Sequence, residues 1–325
     1  MSRSSRDFLT TAALATAGLT LSACRRGREG AASPPPSRSA EPQAAAAAAA
    51  GTELLMRAIP STGERIPAIG MGTSGSFEID PGSPEYEALK GVLRTFFEGG
   101  GRLIDTSPNY GQAEDVLGAL LAEGGYRERC FLATKIAADD LESAKAQWAD
   151  SLRRLKTDRV ELLQVHNLRA WELQLPYIRE LKAQGKTKYT GLTHYREDGH
   201  AELARLVRAE KPDFLQVNYS VSSPQAAKSL LPLAQDLGVG VLVNRAFEDG
   251  RLFSRAGDRA LPGWAADVGA SSWAQLFLKF TLSHPAVTAV IPATGKPHRQ
   301  ADNLKGGSGP LLSQAQQREL VELFA

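Results

Sequence analysis

The feature that most constrains the fold is an alternation of short apolar runs with amphipathic segments, which continues from Glu53 to the end of the 325-residue chain. The runs predict eight strands, and segments of helical periodicity follow them. Strands that alternate with helices form a parallel sheet, and eight such units suit a closed (β/α)8 TIM barrel of about 250 residues. The predicted strands cover residues 68–71, 103–105, 130–135, 160–166, 189–193, 214–218, 240–244 and 286–291.

Two further elements complete the predicted domain, which spans residues 53–325. An N-terminal β-hairpin, with strands at 54–58 and 65–67, is expected to plug one end of the barrel. A last helix over 313–324 would pack outside. The first barrel helix is predicted over 84–98, because Ser83 can cap it, Pro84 suits its first position and Gly99 follows its end.

A doubly wound sheet is the alternative fold. Gly70, Gly72 and Gly75 fit the G-x-G-x-x-G pattern that binds dinucleotides, but that pattern requires a helix to begin at once. The sequence Asp80-Pro81-Gly82 predicts a turn there instead. We therefore interpret these glycines as a loop in which the backbone approaches a ligand.

The first 24 residues have the pattern of a secretory signal peptide. Arg3 and Arg6 precede an apolar run over 8–21, which is too short to span a bilayer as a mature helix. Leu-Ser-Ala-Cys, ending at Cys24, resembles the bacterial lipobox, so Cys24 is the expected lipidation site. The expected product is exported, as a periplasmic or membrane-anchored lipoprotein.

The export route stays open at this point, because Ser5 stands where a twin-arginine signal has its first arginine. Residues 25–52 are rich in Ala, Pro and Ser and can bury no core, which predicts a disordered linker. With Cys24 lipidated, Cys130 has no disulfide partner and is expected in the core.

Charge excludes one class of partner. The net charge of +2, without a basic stripe, argues against nucleic acid. We expect a monomer that meets the membrane only through its lipid anchor.

Four reactive side chains follow three successive predicted strands. Asp105 ends the second strand with Tyr110 in the next loop, Lys135 ends the third, and His166 ends the fourth. The carboxyl ends of barrel strands share one mouth, so these side chains should meet. An ammonium beside a phenol lowers its pKa, a carboxylate holds a buried ammonium, and a neutral imidazole can orient a carbonyl oxygen. This set suits proton donation to a carbonyl.

These residues resemble the catalytic tetrad of the aldo-keto reductase superfamily in identity, order and approximate spacing, and the resemblance covers residues 53–325. It implies that Tyr110 is the general acid, that Lys135 tunes it, that Asp105 holds Lys135 and that His166 positions the substrate. It also implies reduction of an aldehyde or ketone by a nicotinamide cofactor, because no side chain supplies hydride.

The same resemblance implies cofactor contacts. Gln216 matches the glutamine that binds the nicotinamide carboxamide, Thr294 and Arg299 match the 2′-phosphate contacts, and Asn303 matches the adenine contact. A guanidinium suits phosphate geometry, so NADPH is expected in preference to NADH. The usual family lysine is replaced by Ala293.

Two places depart from the family pattern at the nicotinamide end. Thr193 and His194 replace the usual Ser-Asn pair, and Asn244, followed by Arg245, stands where a stacking tyrosine is usual. All four remain candidate cofactor contacts, although asparagine offers no comparable π-face.

Three functions stay open at this stage. The favoured one is an NADP(H)-dependent reductase acting on a small carbonyl in a shallow pocket rimmed by Trp171 and Phe247. The second is a nicotinamide-cofactor-binding barrel with little turnover. The third is a metal-dependent barrel hydrolase using Asp105, His166 and His194, a weak ligand set. The favoured function needs no metal.

Overall fold

The computed structural model describes residues 53–325, and their core is a barrel of eight parallel strands in chain order. Isolated bridges from Ile69 to Val290 and from Gly72 to Ala293 join the first strand to the last. The predicted (β/α)8 barrel is confirmed, and the doubly wound alternative is wrong. The first two strands of the chain, β1 and β2, form the N-terminal hairpin described below. The barrel strands are β3 (Met71–Gly72), β4 (Leu103–Asp105), β5 (Phe131–Ile136), β6 (Val160–Val165), β7 (Thr187–His194), β8 (Phe214–Asn218), β9 (Gly240–Asn244) and β10 (Val287–Val290).

Helices follow these strands around the outside. The helix predicted over 84–98 is found with those bounds, and burial of its Leu89, Val92, Leu93 and Phe96 fixes its inner face. The helices are α1 (Pro84–Glu98), α2 (Ala113–Glu123), α3 (Leu141–Arg154), α4 (Trp171–Ala183), α5 (His200–Glu210), α6 (Ala226–Asp236), α7 (Arg251–Ala256), α8 (Trp273–Leu282), α9 (Pro297–Lys305) and α10 (Gln314–Phe324).

The glycines of the first strand serve the closure of the barrel. Gly72 donates its N–H to the carbonyl oxygen of Pro292 over 3.1 Å, and a Cβ atom at Gly72 would lie 2.8 Å from the carbonyl oxygen of Ile291. The backbone at Gly72 thus approaches the neighbouring strand closely, whereas the sequence suggested a close approach to a ligand.

The N-terminal hairpin closes the base of the barrel. Its strands β1 (Met56–Ala58) and β2 (Arg65–Pro67) pair antiparallel, as predicted. Ile59 and Ile66 are fully buried in a cluster with the side chains near the strand starts, namely Leu103, Phe131, Tyr189 and Phe214. The Tyr189 hydroxyl lies 2.7 Å from Thr62 Oγ1 and donates to Glu64 Oε2 over 2.8 Å. The apolar base thereby excludes water from one end and leaves the other end open.

The fourth barrel strand ends one residue earlier than predicted. It stops at Val165, because Asn167 and Leu168 adopt left-handed backbone angles (φ 53° and 57°) that no strand can continue. His166 therefore lies in the turn beyond the strand, where its ring can face the mouth.

The predicted signal peptide, the predicted lipidation site Cys24 and the linker predicted over 25–52 lie outside the described residues, so export stays a prediction. Across residues 53–325, no helix is long and apolar enough to cross a membrane.

Candidate active site

Strand register brings the acid and the lysine to the same end of the barrel. Asp105 is the last residue of β4 and pairs with Ala133, while Lys135, two residues further along β5, pairs with Gln164 of β6. Successive side chains of a strand alternate between its faces, so Ala133 and Lys135 point the same way. Asp105, Lys135 and Gln164 thus converge inside the mouth.

Lys135 and Asp105 form a buried ion pair. Lys135 Nζ lies 2.5 Å from Asp105 Oδ2, and the two side chains are 0% and 4% exposed. The ammonium also donates to the carbonyl oxygen of Thr106 over 2.8 Å. Burial alone would lower the pKa of Lys135, but the charge of Asp105, the contribution of Tyr110 and the hydrogen bonds to both together outweigh burial and raise that pKa. Lys135 is therefore a fixed cation.

Two glutamines hold the second oxygen of the same carboxylate. Gln164 Nε2 and Gln216 Nε2 each donate to Asp105 Oδ1 over 2.9 Å. Gln164 was missed in the sequence, although a glutamine inside the apolar run of β6, two residues before His166, signals a polar group on the same face. Gly191 makes room for it, because a Cβ atom there would lie 2.8 Å from Gln164 Cγ.

Tyr110 lies against this pair in the loop after β4. The Lys135 ammonium is 5.2 Å from the centroid of its ring. Burial raises the pKa of Tyr110, and the charge of Lys135 lowers it by less, so that the pKa lies above its usual value. The expected lowering by Lys135 is present as a contribution, but it does not set the direction. Tyr110 is consequently a protonated phenol at neutral pH.

His166 completes the group. Its ring meets that of Tyr110 edge to face, with centroids 5.9 Å apart and planes at 87°. Its Nδ1 lies 3.1 Å from the hydroxyl oxygen of the buried Ser107. Burial, followed by the charges of Lys135 and Arg169, lowers the pKa of His166 to about 3. The imidazole is therefore neutral across the physiological range.

The residues predicted at the nicotinamide end occupy the ends of β7, β8 and β9. Gln216 donates both amide hydrogens inside the barrel, to Asp105 and to Gln164 Oε1, while its own Oε1 accepts from Asn244 Nδ2 over 3.4 Å. Asn244 Oδ1 is buried and has no partner among residues 53–325. A buried acceptor without a partner requires a donor that the described side chains do not supply.

Thr193 acts within the protein. Its hydroxyl donates to the carbonyl oxygen of Val165 over 3.1 Å and accepts from the N–H of Asn167 over 3.0 Å. These two bonds bracket His166 and fix the turn that carries it.

His194 and Arg245 lie at the rim. His194 Nδ1 is 3.1 Å from the carbonyl oxygen of Arg196, and its ring stacks on that of Tyr195. Arg245 lies over the Tyr195 ring, 5.3 Å from its centroid, and pairs with Asp249. The structure therefore directs both side chains to a neighbouring loop.

A cavity of about 540 Å³ lies over the loops that follow β9 and β10. Its lining includes Thr294 and Arg299, which are predicted to contact the 2′-phosphate, and Asn303, which is predicted to contact the adenine. Aromatic side chains supply much of the rest, namely Phe247, Phe253 and Trp273. Flat aromatic faces beside a guanidinium suit a purine nucleotide phosphate. The long loop after β9 thus builds a cavity wall.

The metal-dependent alternative lacks a donor set in the part of the chain that the structure describes. No three His, Cys, Asp or Glu side chains gather there in a way that could hold a metal ion.

The fold and the site define a barrel enzyme with acid–base groups at the carboxyl ends of its strands. The chain belongs to the Aldo/keto reductase family, whose sequence profile matches residues 68–324. It is 31% identical over 242 residues to the methylglyoxal reductase YeaE of Escherichia coli, covering 72% of this chain and 84% of that protein. The chain is accordingly an oxidoreductase, as predicted.

Solved structures share the fold. An aldo/keto reductase of Klebsiella pneumoniae, in complex with NADP and acetate, superposes with a TM-score of 0.70 at 24% identity, covering 82% of this chain and 95% of that one. The reductase AKR11C1 of Bacillus halodurans gives a TM-score of 0.67 at 21% identity, covering 84% and 98%.

Proposed function

We propose that this protein reduces a small aldehyde or ketone to an alcohol with NADPH, and that Tyr110 donates the proton. The observation that carries the proposal is the buried Lys135–Asp105 pair beside the protonated phenol of Tyr110 and the neutral imidazole of His166. These are the groups that a carbonyl oxygen needs as it gains negative charge.

The role of each side chain in the proposed reaction follows from its charge. When Tyr110 donates its proton it becomes a phenolate, and the Lys135 ammonium stabilises that negative charge. Asp105 keeps the Lys135 ammonium in place. Gln164 and Gln216 in turn hold the Asp105 carboxylate. Neutral His166 can donate a hydrogen bond to the substrate oxygen without competing for the proton. Hydride is the one component that no side chain supplies, and a bound nicotinamide provides it.

The described residues fit such a cofactor at both ends. At the nicotinamide end, the unpaired Asn244 Oδ1 and the remaining lone pair of Gln216 Oε1 can accept a carboxamide N–H. At the other end, Arg299 and Thr294 line the cavity beside Asn303 and can hold a 2′-phosphate. The NADP named for the Klebsiella pneumoniae structure supports the same choice.

The rate of reduction should be insensitive to pH over a wide range. The pKa of His166 is about 3 and the pKa of Tyr110 is raised above its usual value. Both groups therefore keep the protonation state that reduction needs from about pH 5 to about pH 9. A profile of kcat for carbonyl reduction at saturating NADPH should be flat in this window. A falling limb near neutral pH would contradict a Tyr110 that holds its proton.

Arg299 should decide the choice between the two nicotinamide cofactors. Because a charge-assisted hydrogen bond is lost, Arg299→Ala should weaken NADPH binding by about 10- to 100-fold, while NADH binding changes little. Fluorescence titration of the full chain with each cofactor measures both constants. Arg318→Ala, an exposed arginine on α10, is the matched control and should change neither.

A panel of aldehydes and ketones then separates the proposal from its alternative. Turnover of any of them with NADPH supports a reductase. Tight NADPH binding without turnover of any carbonyl would favour the cofactor-binding barrel. That alternative is suggested by the departures from the family pattern at Thr193, His194 and Asn244.

A further inference from the structure

We propose that Ser107 fixes the tautomer of His166, so that the imidazole presents an Nε2–H to the substrate oxygen. The proposal rests on the proposed function and assigns a positioning role to a residue that the sequence did not single out. The Ser107 hydroxyl contacts Nδ1 of the His166 ring and leaves Nε2 for the substrate.

The hydrogen bonds of Ser107 determine where its hydroxyl hydrogen goes. Its side chain is fully buried, and its Oγ has two partners among the described residues, His166 Nδ1 at 3.1 Å and the backbone N–H of Asn109 at 3.3 Å. The N–H of Asn109 can only donate. The hydroxyl hydrogen therefore has one acceptor, which is His166 Nδ1.

The alternative tautomer would leave a hydrogen unsatisfied. If Nδ1 carried the hydrogen of His166, Ser107 Oγ would accept from both partners, and its own buried hydrogen would have no acceptor. An unmade hydrogen bond at a buried polar group is costly, so the arrangement with Nδ1 as acceptor is favoured. A neutral imidazole carries one N–H, and that N–H is then at Nε2.

The second ring nitrogen of His166, Nε2, is free to donate a hydrogen bond to the substrate oxygen. Nε2 of His166 makes no hydrogen bond with any residue of 53–325, and the side chain is partly exposed at the mouth. A neutral Nε2–H can donate to a carbonyl oxygen, whereas an unprotonated Nε2 would repel it.

Ser107 also couples the two groups that meet the substrate. Its carbonyl oxygen accepts the N–H of Tyr110 over 3.1 Å, closing a turn over Ser107-Pro108-Asn109-Tyr110. The same residue therefore starts the turn that places the phenol and sets the proton of the imidazole. Thr193, which brackets His166 from the other side, fixes its backbone.

The test is the imidazole nitrogen spectrum of the full chain, labelled with ¹⁵N and recorded at neutral pH. The chain has five histidines, and His166→Gln identifies the resonances of His166. We expect a protonated Nε2 and an unprotonated Nδ1 in the unmodified protein. Observation of Nδ1–H there would overturn the proposal without any variant of Ser107.

Ser107→Ala then tests the cause. We expect a population of Nδ1–H, an upward shift of the imidazole titration because the neutral form loses a donor, and a kcat lower by about tenfold with unchanged NADPH affinity. Ser107→Thr, which keeps the hydroxyl, should restore the tautomer. An unmixed Nε2–H tautomer in Ser107→Ala would refute the role.

Ser151→Ala is the matched control, because Ser151 is a buried hydroxyl that donates to Glu114 over 3.0 Å on the outer helices. It should leave the His166 spectrum unchanged. The spectrum needs no turnover, so a reductase assignment that fails in the carbonyl panel would leave the tautomer result standing, and the reverse also holds.

Discussion

Tyr110→Phe should lower kcat for carbonyl reduction by about 10²- to 10⁴-fold, the contribution of a general acid, while NADPH still binds with unchanged affinity. The change removes one oxygen and keeps the ring that packs against His166. It therefore removes the proton donor without disturbing the cavity that Arg299 and Asn303 line. Steady-state kinetics and a fluorescence titration measure the two effects.

Tyr86→Phe provides the matched control for this experiment. The Tyr86 hydroxyl is also hydrogen-bonded, donating to Glu123 over 2.7 Å, but it lies between α1 and α2 outside the mouth. Its loss should leave kcat within about twofold of the unmodified protein. Full turnover in Tyr110→Phe would remove Tyr110 from the reaction and, with it, the proposed mechanism.

Lys135→Met should abolish reduction and also destabilise the fold by about 3–5 kcal/mol, because it leaves the Asp105 carboxylate buried without its cation. The Asp105 side chain is 4% exposed, so water cannot take the place of the ammonium. Chemical denaturation gives the free energy of unfolding, and NADPH-dependent kinetics give the activity.

A double variant separates the two consequences. Lys135→Met with Asp105→Asn removes both charges and keeps the oxygen that accepts from Gln164 and Gln216, so most of the stability should return while activity stays absent. Lys279→Met, a second fully buried lysine whose ammonium donates to backbone carbonyls of Ser308 and Pro310, should retain activity. A single variant at Lys135 as stable as the unmodified protein would contradict the role of the ion pair.

Much of the barrel could be predicted from hydrophobic periodicity and helix signals. The strands over 103–105, 214–218 and 240–244 and the helix over 84–98 have the predicted bounds. The strand predicted over 189–193 is longer, because hydrogen bonding to both neighbours extends it through polar residues to Thr187–His194. Periodicity reports burial, whereas a strand ends where its hydrogen bonds or its backbone angles stop.

That Asp105, Tyr110, Lys135 and His166 gather at one mouth could be predicted from the sequence, whereas their electrostatics could not. Four residue types in barrel order indicated the mouth, but the direction of the pKa shift at Tyr110 depends on how deeply the phenol is buried, which no spacing reveals. The roles of Ser107 and Gln164 were also hidden, since each contacts a residue 59 positions away along the chain. Such contacts follow only once the barrel has brought its strands and the loops after them together.

The closed base of the barrel is also the side on which the described part of the chain begins. Leu55 donates its N–H to the carbonyl oxygen of Gly307, and Leu54 bridges to Ser308, so the described chain begins beside the hairpin end. The carboxyl ends of the strands, with Tyr110 and the cavity lined by Arg299, lie at the opposite pole. The described chain therefore enters the barrel on the side away from the groups proposed to meet the substrate.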